Sequence, residues 1–459
     1  MDEDRQGTAP AVPDTARQGA EAQGQNLKDL SWVEASIWTE RMVSALKNGV
    51  KGGVWFSLID KVYAPKTLAL AWEKVKANRG SAGVDGQSIE RFEARSEIYL
   101  AELSESLRTG PYRPIAIRRV EIPKGDGSMR PLGIPAVKDR IVQTAVKLVI
   151  EPIFEVLFHP SSYGFRPGRS AKDALREVDL LVKGGYRFAV DADLKGYFDS
   201  IPHERLMERV RGRIADGRVL DLLEGWLKQD IMAGTERWTP AEGSPQGAVI
   251  SPLLANIYLD PLDAFMASHG YRMVRYADDF VVLRQSRDEA EAALALIRAF
   301  VADNGLSLHP DKTHIGNCWK KGGGFSFLGY SFEGKRRHVR KKSLDKLKDK
   351  IREKTKRSRG DSLKTVIASL NPVLKGWFAY FKHAHHPVPR VAPSACPRAC
   401  FKQLDGLVRR RLRALLRKQE KRPGFGRCLS DQMRWTNAFF AEAGLFALHT
   451  AWQDARGPR

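Results

Sequence analysis

Between Tyr271 and Leu283, two short apolar runs bracket a pair of adjacent aspartates. Met273, Val274 and Tyr276 lead in, Asp278 and Asp279 follow, and Phe280, Val281, Val282 and Leu283 lead out. Aromatic and β-branched runs broken by a short polar turn predict a β-hairpin. Two carboxylates at such a tip repel each other, so they do nothing to hold the fold together. A divalent cation reverses that cost, because hard cations such as Mg²⁺ take carboxylate oxygens and keep waters that a substrate phosphate can replace. A solvated Asp-rich turn accounts for the same residues. Other stretches have to separate the two readings.

Charge points to a partner. The 459 residues carry a formal net charge of +22. Residues 335–427 hold 29 basic against 6 acidic side chains, which leaves the rest of the chain near neutral. A basic excess confined to one region is an electrostatic footprint whose usual counterpart is a nucleic-acid phosphate backbone. A generally solubilising surface would spread its charge more evenly. The chain has room for two to four domains. Its most apolar window, 141–158, is interrupted by Lys147, Glu151 and Glu155, so no membrane span or membrane partner is expected. The start Met1-Asp-Glu-Asp-Arg is acidic where a secretory signal is basic, and 4 cysteines make no disulfide framework. A cytoplasmic, nucleoid- or ribonucleoprotein-associated protein is expected.

Read in order, residues 1–26 predict a disordered tail, and 27–46 an amphipathic helix. Pro65 opens a helix that ends near Gly80, and Ser88 caps another running through Leu103. Residues 112–124 read as a strand turning back through Gly125-Asp-Gly-Ser128, which sets Lys124 and Arg130 across a hairpin suited to phosphate. Two exposed basic residues flanking a turn give the same pattern. A helix follows from Asp139 to Leu157. In Phe188–Leu194 the side chains of Asp191 and Asp193 share a strand face. An apolar strand ending in a carboxylate is again a metal-site candidate, with capping of the next turn by Asp193 as the lesser alternative. Gly243-Ser-Pro-Gln-Gly247 makes a tight loop before a long apolar helix from Ser251. Ser286 caps a helix that stops at Gly305. Short strands are expected at 306–308 and 325–330, no strand beyond Gly334, and basic helices at 344–356, 363–383 and 401–420.

In this order the pieces resemble group II intron-encoded proteins, bacterial reverse transcriptases and maturases. The resemblance covers nearly all of the chain from Trp55 to Trp452. It rests on Gly83-Val-Asp-Gly86, Ile122-Pro-Lys-Gly-Asp-Gly-Ser-Met-Arg-Pro-Leu-Gly-Ile-Pro135, Tyr163-Gly-Phe-Arg-Pro-Gly-Arg-Ser170 and Asp193-Leu-Lys-Gly-Tyr-Phe-Asp-Ser-Ile-Pro-His203. It continues through Gly243–Gly247, Tyr276-Ala-Asp-Asp279, Leu308-His-Pro-Asp-Lys-Thr313, Phe327-Leu-Gly-Tyr330 and Asn371-Pro-Val-Leu-Lys-Gly-Trp-Phe-Ala-Tyr-Phe381. Any one match is weak, but so many in the right order are hard to reach by accident. The Ser-Pro-Gln-Gly loop and the maturase-like segment favour this group over retron and diversity-generating enzymes, and leave open a CRISPR-associated reverse transcriptase. Residues 383–400 depart from the pattern. His383, His385, His386, Cys396 and Cys400 could bind zinc there, but ordinary loop residues explain them better.

The resemblance implies an α+β right-hand polymerase fold, fingers and palm with antiparallel sheet, followed by an all-α basic thumb and a small DNA-binding region. The expected divisions are a tail at 1–26, a helical extension at 27–110, fingers and palm at 111–334, a maturase thumb at 335–415 and a DNA-binding region at 416–459. It implies an RNA-directed DNA polymerase in which Asp193, Asp278 and Asp279 hold two Mg²⁺ about 4 Å apart. Lys124 and Arg130 would contact the triphosphate, and Gln246 would position the incoming nucleotide. Phe198, or alternatively Tyr197, would exclude a 2′-hydroxyl, and Phe327, Leu328, Gly329 and Tyr330 would grip the primer. The implied partners are a group II intron RNA, an RNA template with a DNA primer, target DNA and dNTPs. No His-Asn-His endonuclease module is recognisable, so second-strand cleavage is not expected. A splicing factor with an idle polymerase site is the rival reading.

Overall fold

The computed structural model describes residues 30–123, 127, 129–384 and 397–455. It divides into two compact units. One comprises residues 1–178 and 190–314, the other 179–189 and 315–459.

The first unit opens with helices. Thr39 caps Glu40–Asn48 through its side chain, so the expected helix over 27–46 begins later, after turns at 31–38. Pro65 starts Pro65–Ala77 as expected. The helix predicted from Ser88 is two, Ile89–Glu93 and Ser96–Thr109, because Ala94 and Arg95 break the run. Strands β1 (Ile117–Pro123) and β2 (Met129–Ile134) form the expected hairpin, with Ile122 opposite Arg130. The strongly buried helix Val137–Glu155 packs against Pro65–Ala77.

β3 (Phe188–Asp193) carries buried Ala189, Val190 and Ala192, and ends at Asp193. Two helices with no counterpart in the sequence reading, His203–Arg211 and Gly217–Leu227, lead to β4 (Ile231–Ala233) and β5 (Glu236–Trp238). These short strands extend the hairpin sheet in the order β2-β1-β4-β5, with β4 parallel to β1. The helix Ser251–Ser268 runs beneath the hairpin of β6 (Arg272–Tyr276) and β7 (Asp279–Arg284), and β7 neighbours β3. Ser286 and Glu289 form a capping box on Arg287–Asp303. The strand expected at 306–308 reduces to a single bridge between Leu308 and Leu194.

The second unit contains β8 (His314–Asn317, which starts at the division), β9 (Phe325–Phe327), β10 (Tyr330–Glu333) and β11 (Arg336–Val339). β11 corrects the expectation of no strand past Gly334. Its basic sequence hides the pattern, and pairing of Glu333 with Arg336 and Tyr330 with Val339 makes the strand. Helices Lys341–Lys354, Leu363–Phe381 and Pro397–Gln419 follow the predicted periodicity. Three short helices, beginning at Leu429, Asn437 and Leu448, complete the unit. Trp435, Phe440, Leu448 and Trp452 share one apolar cluster with Leu347, Ile351, Leu370 and Phe401. The helix Pro397–Gln419 runs across the 415/416 division expected from sequence.

Candidate active site

The β6–β7 hairpin pairs Tyr276 with Asp279, leaving Ala277 and Asp278 as the turn. Ala277 sits in the left-handed region at φ 61°, a costly position for a residue with a Cβ. Surrounding structure imposes it. Arg275, fully buried, donates from Nη1 to the Ala277 carbonyl at 3.0 Å and to Asn256 Oδ1 at 2.9 Å. Its Nε lies 2.8 Å from Asp263 Oδ1, and Asp263 is buried too. The strand preceding the turn is laced to the 161–163 segment. Arg275 N donates to the Ser161 carbonyl, and Tyr163 N donates to the Arg275 carbonyl, each at 2.8 Å. Asn256 Nδ2 also donates to the Gly164 carbonyl at 2.8 Å. At Gly164 a Cβ would lie 2.2 Å from the Ala277 nitrogen, so only glycine lets this segment approach the turn.

Asp278 is half-buried. Burial pushes its carboxyl above the usual range and the negative charge of Asp193 adds to that, while Arg130 and Arg275 oppose it. The two aspartates are neighbours through the sheet, since β3 ends at Asp193 and lies beside β7, which the Asp278 turn leads into. Lys312 Nζ lies 2.6 Å from Asp193 Oδ2. The Asp193 carbonyl accepts from His309 N at 2.7 Å, which anchors the 308–313 segment beside the carboxylate.

Arg130 Nε donates to Gln246 Oε1 at 2.9 Å, and Gln246 Nε2 donates to Asp199 at 3.0 Å. The 243–247 loop is fixed to the hairpin by Gly133 N donating to the Gln246 carbonyl at 2.7 Å. A Cβ at Gly247 would fall 2.4 Å from the Gly133 carbonyl oxygen. Of the two aromatic candidates, Tyr197 is enclosed and its hydroxyl donates to the Ala255 carbonyl at 2.6 Å. Phe198 is half-buried, with its ring edge-on to Phe165 at 6.5 Å between centroids. Phe165 is itself 45% exposed.

The structure thus brings Asp193, Asp278, Arg130 and Gln246 together. Asp279 opens β7, directly after Asp278 in the turn. Among the described residues no group of three or more His, Cys, Asp or Glu forms a ready-made metal site. Mg²⁺ does not require one, since it binds through one or two carboxylates plus substrate phosphates. The pair Asp193–Asp278 fits that need: two hard oxygen donors whose mutual repulsion a dication would relieve. Lys124, His385, His386 and Cys396 lie outside the described residues.

In the second unit, Phe327–Tyr330 forms a two-residue turn between β9 and β10, with Leu328 at φ 47° and Gly329 at φ 81°. Phe327 and Tyr330 are core residues, 1% exposed each, so Leu328 and Gly329 alone remain at the tip. The Leu328 carbonyl accepts from Tyr380 Oη at 2.9 Å, and the Gly329 carbonyl accepts from Arg340 N at 3.0 Å.

Sequence reasoning gave no role to Lys312, Arg275 or Phe165. Lys312 and Phe165 lie within motifs quoted above, which was the available signal. For Arg275 the signal was a charge inside an otherwise apolar strand.

No helix among the described residues is long and apolar enough to cross a membrane. Residues 122–332 match the family described as reverse transcriptase (RNA-dependent DNA polymerase), and residues 344–435 match the group II intron maturase-specific domain. Protein YkfC of Escherichia coli K12 is 36% identical over 321 residues, 61% of this chain and 83% of that protein. The group II intron-encoded protein LtrA of Lactococcus lactis subsp. cremoris is 36% identical over 203 residues, 44% of this chain but 34% of LtrA. A solved partial Cas6-RT-Cas1–Cas2 complex is 24% identical, covers 54% of this chain and 41% of that one, and has a TM-score of 0.35, too loose a likeness to argue from. The β1–β2, β4–β5, β6–β7, β9–β10 and β10–β11 pairs are antiparallel and the β1–β4 pair is parallel. By its matched domains and its relatives, the chain belongs to the group II intron-encoded proteins, RNA-directed DNA polymerases that carry a maturase domain.

Proposed function

We propose that this chain extends a DNA primer along an RNA template at Asp193 and Asp278, and that its basic helical region binds a group II intron RNA to assist splicing and retrohoming. One observation carries the polymerase reading: β3, which ends at Asp193, neighbours β7, whose preceding turn bears Asp278, and Arg130 is tied by its guanidinium to Gln246. Asp193 and Asp278 would hold Mg²⁺, which when bound activates a primer 3′-hydroxyl and neutralises the leaving pyrophosphate. Arg130 then faces the triphosphate. Gln246, fixed between Arg130 and Asp199, presents its amide to the sugar and base. Phe198 takes the position where a 2′-hydroxyl would have to fit, since Tyr197 is enclosed. Lys312 adds a positive charge that can follow phosphate once a cation takes its place at Asp193. Asp279 supports the turn from β7, and Leu328-Gly329 would meet the primer end. The fingers and palm at 111–334 would supply this chemistry, while 335–415 and 416–459 supply RNA and target-DNA binding through backbone charge and shape.

Replacing Asp278 with Asn leaves a neutral side chain of similar shape. Primer extension on an RNA template in Mg²⁺ should fall more than about a hundredfold, because a ligand is lost rather than a group behind one. Extension at the original rate would remove Asp278 from the site. If the unaltered protein makes no cDNA but still promotes splicing of its intron RNA, the idle-site reading replaces this one.

A further inference from the structure

A cavity of about 350 Å³ opens beside Gln246, on the face of the β2-β1-β4-β5 sheet. Pro131, Ile231, Trp238 and Pro245 form its walls. It is the size of a small ligand site. Its polar groups decide what it can take. Asp199 and Glu242 both line it, and its one basic residue among those described, Arg119, is paired with Glu121 at 2.9 Å. A triphosphate would meet two carboxylates here and, among the described residues, no uncommitted cation, so the lining disfavours phosphate. A flat, neutral ring is not disfavoured. The Arg119 guanidinium carbon lies 5.6 Å from the Trp238 ring centroid, leaving a half-buried indole at the wall. Neither Asp193 nor Asp278 lines the cavity, so it is a neighbour of the carboxylate site and not the site itself.

We infer that this cavity receives an unpaired nucleobase of the template strand, the one next in line to be copied, stacked against Trp238. The inference rests on the polymerase reading above. The incoming nucleotide's phosphates belong with Arg130 and the carboxylates. Its base must pair with the templating base, so the cavity, which shares Gln246 with the nucleotide's site, adjoins that pair and does not enclose it. The following template base is unpaired, neutral and flat, and is tethered within reach of the loop that carries Gln246. Aromatic stacking is how proteins hold such bases without reading their sequence. The β4–β5 hairpin, two strands of three residues each, acquires a purpose as the carrier of Trp238.

The test is primer extension by the full chain on RNA templates that extend either one or four nucleotides past the primer. Only the longer template can fill the cavity, so the unaltered protein should show the lower KM for it. Trp238→Ala should raise that KM by about 5- to 100-fold, bringing the two templates together, while the KM for dNTP moves less than about twofold. Trp238→Phe, which keeps an aromatic face, should retain most of the preference and guards against misfolding of the alanine variant. An abasic residue at the second template position should abolish the preference in the unaltered protein. Equal losses on both templates, or a raised dNTP KM with the preference intact, would overturn the inference. An unaltered chain that extends neither template fails the polymerase reading itself and takes this inference with it.

Discussion

The turn bearing Asp278 and the helical core of the second unit are held together in opposite ways. Around the turn, directional bonds to buried charges set each atom. Arg275 reaches Asp263, Asn256 and the Ala277 carbonyl, and Arg166 nearby is buried against Glu155 at 2.8 Å. In the helical core, Leu347, Ile351, Leu370, Phe401, Val408 and Trp452 pack with no direction preferred, and most lysines and arginines stay on the outside. That core has its own buried carboxylate, Asp431 against Arg417, so the contrast is one of degree. The lesson is about tolerance. A site that must place one carboxylate oxygen accepts little displacement, whereas a surface that meets a phosphate backbone needs only enough positive charge in roughly the right place.

The largest effect should therefore come from Arg275. Arg275→Met removes the partner of a fully buried aspartate, and breaking such a pair from one side costs about 3–5 kcal/mol. Denaturant unfolding measures it. The double change Arg275→Met with Asp263→Leu should recover much of that loss in stability, yet cDNA synthesis should stay low, because Ala277 still lacks the bond that holds it left-handed. A single substitution costing under about 1 kcal/mol would put Arg275 in the same class as exposed ion pairs and end the comparison.

A smaller effect tests whether buried charge is a general cost of the first unit. Asp139 accepts from Tyr112 Oη at 2.6 Å and from Gln229, and burial lifts its carboxyl to about 6 against those hydrogen bonds. The folded state then holds a proton more tightly than the unfolded chain does. That contribution is fully present below the unfolded value near 4 and is lost as pH rises through about 6. Asp139→Asn cannot titrate. The stability of the unaltered protein relative to this variant should fall by about 2 kcal/mol between pH 4 and pH 7.5. A difference that stays flat with pH would mean Asp139 is better solvated than its surroundings indicate.

What could be read from sequence follows the same division. The β6–β7 hairpin and the apolar helix from Ser251 were legible because local alternation and period reveal them. The helix Pro397–Gln419 was also clear from its 3.6-residue spacing. Arg275 was not, because its partners lie 12 and 19 residues away on another element and no local pattern marks them. β11 was hidden because Arg336-Arg337-His338-Val339 is a strand only by virtue of what it pairs with. The strands that carry Trp238 are too short to show a period. Motif order found Arg130 and Gln246, but the bond between them depends on a loop closing onto β2 over more than a hundred residues. Motif spacing favoured Phe198 over Tyr197, while the enclosure of Tyr197 depends on the distant Ala255 carbonyl and left no mark in the local sequence.

The smallest effect should come from the basic helices. Lys346 and Lys350 are exposed, one turn apart on the helix Lys341–Lys354. Changing both to Gln should alter folding stability by less than about 0.5 kcal/mol, as for surface positions away from special features. If both meet phosphate, RNA affinity should drop severalfold, and the slope of log affinity against log salt should become shallower by about two. Affinity and slope must move together, because the same released counterions set both. A drop in affinity with the slope unchanged would mean these lysines are held to directional contacts, as Arg275 is, and the two units would then differ in burial alone.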